Sequence, residues 1–368
     1  MASHSLGMSL FEAARQMGVP FVEENEPIDK FVQVHGLNFH YLEWGDPSNP
    51  TIFMLHGNSQ QAHSWDFVSL PLSENYHVIA MDQRGHGDSD WAPDGDYSLE
   101  AQQKDIDGFV DSILPSKFHL IGHSMGGRNS YVWASRHPNS LNSLDIVDTG
   151  PESTSRGRNR IQTFKELPDE LNSFEEFASR IQEYTGRTRE QTLGSLKYSI
   201  RERADGKWTW KYDKLMRTPG QRPPTWTSEQ LWESVAKIDC PTLVVRGSRS
   251  DIFTEETMKK METVIPRCTT VTVEREGHLV AGDNPADFLL AVQELLNSLV
   301  CSQLTTRGIR SPSTKPSPAE TAPMARISSP CNNGDRWTSL PLPMPSTNNP
   351  VNAPIIEIEI ATVPLKNR

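Results

Sequence analysis

The sequence predicts an α/β fold, a mostly parallel central sheet with helices on both faces, and three observations point there. Short apolar runs such as Thr51–Leu55, His77–Met81 and Thr242–Arg246 alternate with helix-length amphipathic stretches, the pattern of buried parallel strands joined by crossover helices. A glycine-bracketed serine, Gly122-His123-Ser124-Met125-Gly126-Gly127, stands between an apolar run ending His119-Leu120-Ile121 and an amphipathic stretch, Arg128–His137. The residues best suited to chemistry (Asn58, Ser124, Asp148, Asp251 and His278) all follow strand-like runs. They therefore fall beyond the carboxyl ends of the strands, where open α/β sheets bind their ligands.

Taken in chain order, Lys30–Trp44 reads as two alternating strands joined at His35-Gly36-Leu37, an edge hairpin. The strand Thr51–Leu55, a helix from Gln60 to Leu70 and the strand His77–Met81 follow. Asp82–Ser89 is a loop whose glycines do not open a helix, so it is no phosphate cradle. A long helix runs from Ser98 to about Leu114 and is expected to put Asp105, Asp107 and Asp111 on its wet side. Leu144–Val147 is another buried strand, ending at Asp148.

Between Glu152 and Ala236 the alternation stops. Helix-like pieces at Ser173–Tyr184, Arg189–Glu202 and Ser228–Ala236 predict a mainly helical cap inserted after the sixth strand. Within it Trp208, Trp210 and Tyr212 alternate on one side of an extended segment. They either hold the cap together or line an apolar pocket. The Arg and Lys of the cap either attract carboxylated substrates or form a solvated helix face. The organisation expected is an extension over 1–29, core over 30–151, cap over 152–236, core over 237–301, and a Pro/Ser-rich disordered tail over 302–368. Ile355–Ile360 is the one strand-like run in that tail.

Ser124 sits on a strand–turn–helix elbow whose flanks need to be nearly side-chain-free, a geometry that exposes a nucleophilic hydroxyl. A serine hydroxyl needs a base and a group to orient that base. Of 11 histidines, His278 fits: it lies in a glycine turn after the run Thr269–Val273 and before a helix opening near Asn284-Pro285. His123 reads as packing, and His56 and His86 as lining the site or fixing loop shape. Asp251, in the loop leaving Thr242–Arg246, is the first choice of acid; its plainer role would be capping the helix near Thr254. Asp148 is the alternative, unless it only stabilises the loop leaving the core. Backbone N–H groups of Asn58 and Met125 are the candidate oxyanion donors.

Leu55-His56-Gly57-Asn58, the loop Asp82–Ser89, the elbow Gly122–Gly127, Asp251 and Gly277-His278 occur in an order and at separations that resemble the α/β-hydrolase fold superfamily, over roughly residues 30 to 300. The resemblance implies a triad of Ser124, Asp251 and His278, with Asn58 and Met125 as oxyanion donors. It implies ester-type hydrolysis through an acyl-enzyme, with carbon–carbon bond hydrolysis of a diketone or a non-catalytic ligand-binding homologue as alternatives. The chain departs from the epoxide hydrolase and haloalkane dehalogenase branches, where an aspartate stands at the elbow in place of Ser124.

A net charge of −11 disfavours nucleic acid and anionic membranes as partners. The N-terminus lacks a secretory pattern, and no apolar run reaches about 18 residues. Four cysteines without close spacing indicate neither a metal cluster nor a disulfide framework. A small-molecule substrate, a cytoplasmic setting and no cofactor or metal are the resulting expectations.

Overall fold

The computed structural model describes residues 9–166, 168–186, 188–217 and 226–306. The tail beyond 306, with Ile355–Ile360, lies outside the described residues. Residues up to Val292 form one compact unit. A second unit, Gln293–Ala361, is described only through the helix end at 293–306.

Helix α1 (Leu10–Gln16) opens with a reciprocal capping box between Ser9 and Glu12. Strands β1 (Ile28–Val34) and β2 (Leu37–Trp44) pair antiparallel. The two residues between them, His35 and Gly36, have φ of 50° and 83°, as a two-residue hairpin turn requires. β3 (Thr51–Leu55) is buried along its whole length. A single 3₁₀ turn, Ala62–Trp65, precedes α2 (Asp66–Leu72), in place of the continuous helix expected from Gln60. β4 (His77–Met81) and α3 (Leu99–Ile113, capped by Ser98) follow.

On α3, Asp105 is not on the wet side as expected. It is buried, and both its carboxyl oxygens take the guanidinium of Arg84, one at 2.7 Å. A buried carboxylate survives only when paired in this way. β5 (Phe118–His123), α4 (Met125–Arg136) and β6 (Leu141–Val147) complete the first half, β6 beginning three residues before its expected start.

The segment after β6 carries α5 (Ser155–Glu166), β7 (Glu170–Leu171), α6 (Phe174–Thr185), α7 (Arg189–Ser199), β8 (Ile200–Glu202), β9 (Trp208–Trp210) and α8 (Ser228–Val235). α6 ends on Gly186 at φ 73°, a left-handed stop that suits glycine. The helix expected over Arg189–Glu202 ends at Ser199, because Ile200–Glu202 pairs antiparallel with β9. β7, β9 and β8 thus form a small sheet within the cap. The pairing partners are remote in sequence, so no local pattern announces it.

β10 (Thr242–Gly247), α9 (Glu255–Val264), β11 (Cys268–Val273), a short α10 (Val280–Asp283) and α11 (Pro285–Thr306) close the fold. α11 runs past residue 302, the expected start of the tail. The main sheet has the order β1-β2-β4-β3-β5-β6-β10-β11, parallel from β4 onward. Its core is aromatic on one face: Phe53 of β3 stacks on Phe109 of α3 with centroids 5.2 Å apart, and both are fully buried. Each such side chain contributes roughly 1.5–3 kcal/mol. Among the described residues no helix is long and apolar enough to cross a membrane.

Candidate active site

The turn between β5 and α4 holds Ser124 at φ 52°, ψ −112°. Non-glycine residues avoid that region unless their surroundings impose it. Here the Ser124 N–H donates to Val147 O at the end of β6, and Gly126 N–H donates to His56 O after β3. The glycines around it are steric necessities: a Cβ on Gly122 would lie 2.3 Å from Ser130 Oγ, and one on Gly126 would lie 2.2 Å from Leu55 O. Only glycines let α4 pack this close to β3 and β5.

His278 reaches this serine from the loop after β11. Its Nε2 lies 2.9 Å from Ser124 Oγ, and its Nδ1 lies 2.7 Å from Asp148 Oδ2. An ionised carboxylate only accepts, so Nδ1 carries the proton and Nε2 is left to accept from the serine hydroxyl. Asp148 is wholly buried and takes two further hydrogen bonds, from Gly247 N–H at 2.9 Å to Oδ1 and from Ser250 Oγ at 2.6 Å to Oδ2.

The carboxylate on His278 is therefore that of Asp148, the alternative, and not that of Asp251, the first choice. The loop after β10 turns tightly, with Ser250 N–H donating to Gly247 O. This turn presents Ser250 to Asp148 and sends Asp251 the other way, where its Oδ2 takes Arg160 Nη1 at 3.1 Å. Asp251 does not cap the next helix either; Thr254 does, accepting from Thr257 N–H. Asp148 itself has φ 49°, which swings its side chain back over the sheet edge toward the histidine.

Asn58 and Met125 lie at the ends of the neighbouring strands β3 and β5, their side chains meeting at 3.9 Å. Neither backbone N–H is engaged among the described residues. The loop carrying Asn58 is braced by two histidines. His86 Nε2 accepts from Ser59 N–H while its Nδ1 donates to Arg84 O. His56 Nε2 accepts from Gln83 N–H while its Nδ1 donates to Gly57 O. Both rings thus work in the neutral form, fixing loop shape.

Burial pushes both pKa values down, that of His86 from 6.5 to about 3 with some repulsion from His56. In the unfolded chain these histidines bind protons below about 6.5; in the folded one they do not. Their contribution to stability is complete above that pH and is lost as pH falls below it, for His86 down to about 3, at up to ~1.4 kcal/mol per pH unit for each ring while it titrates. The urea midpoint is expected to drop between pH 7 and pH 5, and less steeply in a His86→Gln variant; equal slopes would refute the assignment.

His123 reads as packing in the sequence, and its role in the structure is larger. Its Nε2 donates to His278 O at 2.8 Å, and its Nδ1 lies 2.8 Å from the side-chain amide of Gln60, whose oxygen accepts from Gly57 N–H. One imidazole thus links the elbow strand to the loop of His278 and to the loop of Asn58. At about 1 kcal/mol per hydrogen bond, His123→Ala should lower kcat by roughly tenfold or more with KM little changed. Unaltered kcat in a steady-state ester assay would remove this role.

Ser124 and His278 open into a cavity of about 560 Å³ beneath the cap. Its apolar walls include Phe67, Ile161, Phe164, Trp210, Ile252 and Leu279. Of the three cap aromatics, Trp210 alone borders this cavity while also packing edge-on against Phe177 with centroids 5.0 Å apart. Trp208 and Tyr212 serve the cap's own core. The cavity also has a polar corner: His63 stacks on Tyr198 at 3.5 Å and bonds Asp66 at 2.9 Å. Burial raises the pKa of the Asp66 carboxyl. The His63–Asp66 spacing is visible in the sequence, but nothing there places it on the cavity.

Elsewhere, His40, Asp82 and Asp88 bring possible metal-ligand atoms within 4.8 Å of one another. The protein already uses the inner carboxylate: Asp82 takes His40 Nδ1, Ala62 N–H and Asp88 N–H.

Residues 50–285 match the family model described as alpha/beta hydrolase fold. The chain belongs to that family. It is similar to an esterase of Mycobacterium tuberculosis, 28% identical over 301 residues that span 78% of this chain and 95% of the relative. It is also similar to a 3-hydroxybutyrate-oligomer hydrolase of Cupriavidus necator, 28% identical over 71% of this chain and 92% of that one. The crystal structure of an alpha/beta hydrolase from Novosphingobium aromaticivorans superposes with a TM-score of 0.65 at 25% identity, over 74% of this chain and 99% of that one. As a member of the α/β-hydrolase family the chain is a hydrolase whose distant relatives include esterases and lipases.

Proposed function

We propose that this hydrolase is a serine esterase that cleaves small carboxylic esters through an acyl-enzyme, with Ser124 as nucleophile, His278 as general base and Asp148 as the orienting acid. One observation carries the reading: the continuous relay from Ser124 Oγ through His278 to Asp148, at 2.9 and 2.7 Å, on a strained elbow. His278 takes the serine proton as Ser124 attacks the ester carbonyl, and Asp148 stabilises the imidazolium that forms. The N–H groups of Asn58 and Met125 receive the oxyanion. Each such donor contributes a factor of about 10² to 10³. His278 then protonates the leaving alcohol, and water, activated by the same imidazole, releases the acid.

The complete hydrogen-bonded relay speaks against a binding protein with vestigial chemistry, and the serine at the elbow against epoxide hydrolysis and dehalogenation, which need an aspartate there to form an alkyl-enzyme ester. A fluorophosphonate probe should label the protein and should not label Ser124→Ala; equal labelling of both would refute Ser124 as nucleophile. Turnover of aryl esters is expected. Turnover of vinylogous 1,5-diketones alone would move the reaction to carbon–carbon cleavage.

A further inference from the structure

We propose that a recess beside the acid loop is an anion subsite, and that the ester this enzyme cleaves carries a carboxylate remote from the scissile bond. The proposal rests on the hydrolase reading above and adds the substrate class. The recess measures about 380 Å³, and three arginines line it, Arg156, Arg160 and Arg249, against one carboxylate, Asp251. A local excess of two positive charges stands out on a chain whose net charge is −11.

The three guanidiniums are not equivalent. Arg160 is committed, to Asp251 at 3.1 Å and to Tyr184 O at 2.9 Å. Arg156 and Arg249 have no side-chain hydrogen bond or ion pair among the described residues. Glu276 feels Arg249 and Arg275 through space without pairing to either, and its burial raises its carboxyl pKa. Two planar guanidiniums facing one recess match the fork geometry of a carboxylate.

Position joins this recess to the chemistry. Arg160, Arg249 and Asp251 line both the recess and the 560 Å³ cavity that holds Ser124 and His278, so one ligand can reach from the nucleophile to the guanidiniums. The walls are tied together. Thr154 Oγ1 donates to Asp251 O and accepts from Gly157 N–H, which anchors the first turn of α5, with Arg156, to the loop of Arg249. Ser250, on that loop, also bonds Asp148. For Arg156 and Arg160 the sequence pattern offers this outcome as one of two readings of the cap's basic residues; Arg249, on the core loop after β10, is not among them.

The test compares 4-nitrophenyl hemiesters of glutaric and adipic acids with their methyl-capped counterparts. A second pair, the acetate esters of 6-hydroxyhexanoic acid and of its methyl ester, asks whether the alcohol half carries the charge. In at least one pair kcat/KM should favour the carboxylate by about tenfold, mostly through KM, and the advantage should shrink at 0.5 M salt. The double variant Arg156→Ala/Arg249→Ala should close the gap. No preference in either pair, or a gap unchanged in the double variant, overturns the proposal. If no ester turns over and no probe labels Ser124, the hydrolase reading fails. Adipate binding to the Ser124→Ala protein, read as a thermal shift, then decides the recess: a shift lost in the double variant upholds it, and no shift overturns it.

Discussion

Asp148→Asn is expected to lower kcat toward aryl esters by about 10⁴-fold, while Asp251→Asn changes it by less than tenfold. Asp148 Oδ2 is the acceptor for His278 Nδ1–H. An amide there can present its NH₂ to the ring, which moves the ring proton to Nε2 and removes the lone pair that accepts the serine proton. Asp148 is also fully buried and takes Gly247 N–H and Ser250 Oγ. The variant should therefore also lose about 1–3 kcal/mol of stability, the usual cost of mispaired buried polar groups. Measuring kcat together with the urea midpoint separates the two effects: a loss of activity far larger than the unfolded fraction explains is the expected pattern. Asp251 instead meets an Arg160 guanidinium that is half exposed. Breaking a pair of that kind costs little. If Asp251→Asn is the damaging change and Asp148→Asn the mild one, the relay through Asp148 is not the catalytic one.

Ser124→Ala should lower turnover by a factor on the order of 10⁴ to 10⁶, leaving only what binding and the oxyanion donors supply. The fold should barely notice. Alanine keeps the Cβ, so the strain at φ 52° persists, and one partly buried hydrogen bond to His278 is lost, worth about 1 kcal/mol. A second substitution on the same elbow should behave in the opposite way. Gly126→Ala would place a Cβ 2.2 Å from the backbone oxygen of Leu55, which no side-chain movement relieves. That protein should be unstable or insoluble. Activity lost with folding intact at 124, and folding lost at 126, would together distinguish the nucleophile from its scaffold. Residual turnover of Ser124→Ala near the parent's would end the serine mechanism.

Much of this molecule is legible in its amino-acid sequence. The alternation of apolar runs and amphipathic stretches sets the sheet and its helices, and glycine spacing marks the elbow. His278 is recognisable from a glycine turn placed after the run Thr269–Val273. Some boundaries differ where tertiary pairing overrides local propensity, as at Ile200–Glu202, which leaves its helix to join the cap sheet. Asp105 escapes the pattern because the period of a helix does not reveal that Arg84 waits on the buried side. The role of His123 is hidden because its partners, His278 and Gln60, are 155 and 63 residues away.

The sequence alone determined the elements whose reasons are local: a strained serine between glycines, strands too apolar for any place but a sheet interior, and a histidine on a glycine turn. Only the tertiary structure decided which acid meets that histidine and which guanidiniums face the cavity. The physical reason is directional. A one-residue step in the loop after β10 reverses where a side chain points, so Ser250 reaches Asp148 while Asp251 turns to Arg160. Composition and spacing are nearly blind to that choice, because two aspartates at two strand ends satisfy the same pattern until the chain is folded.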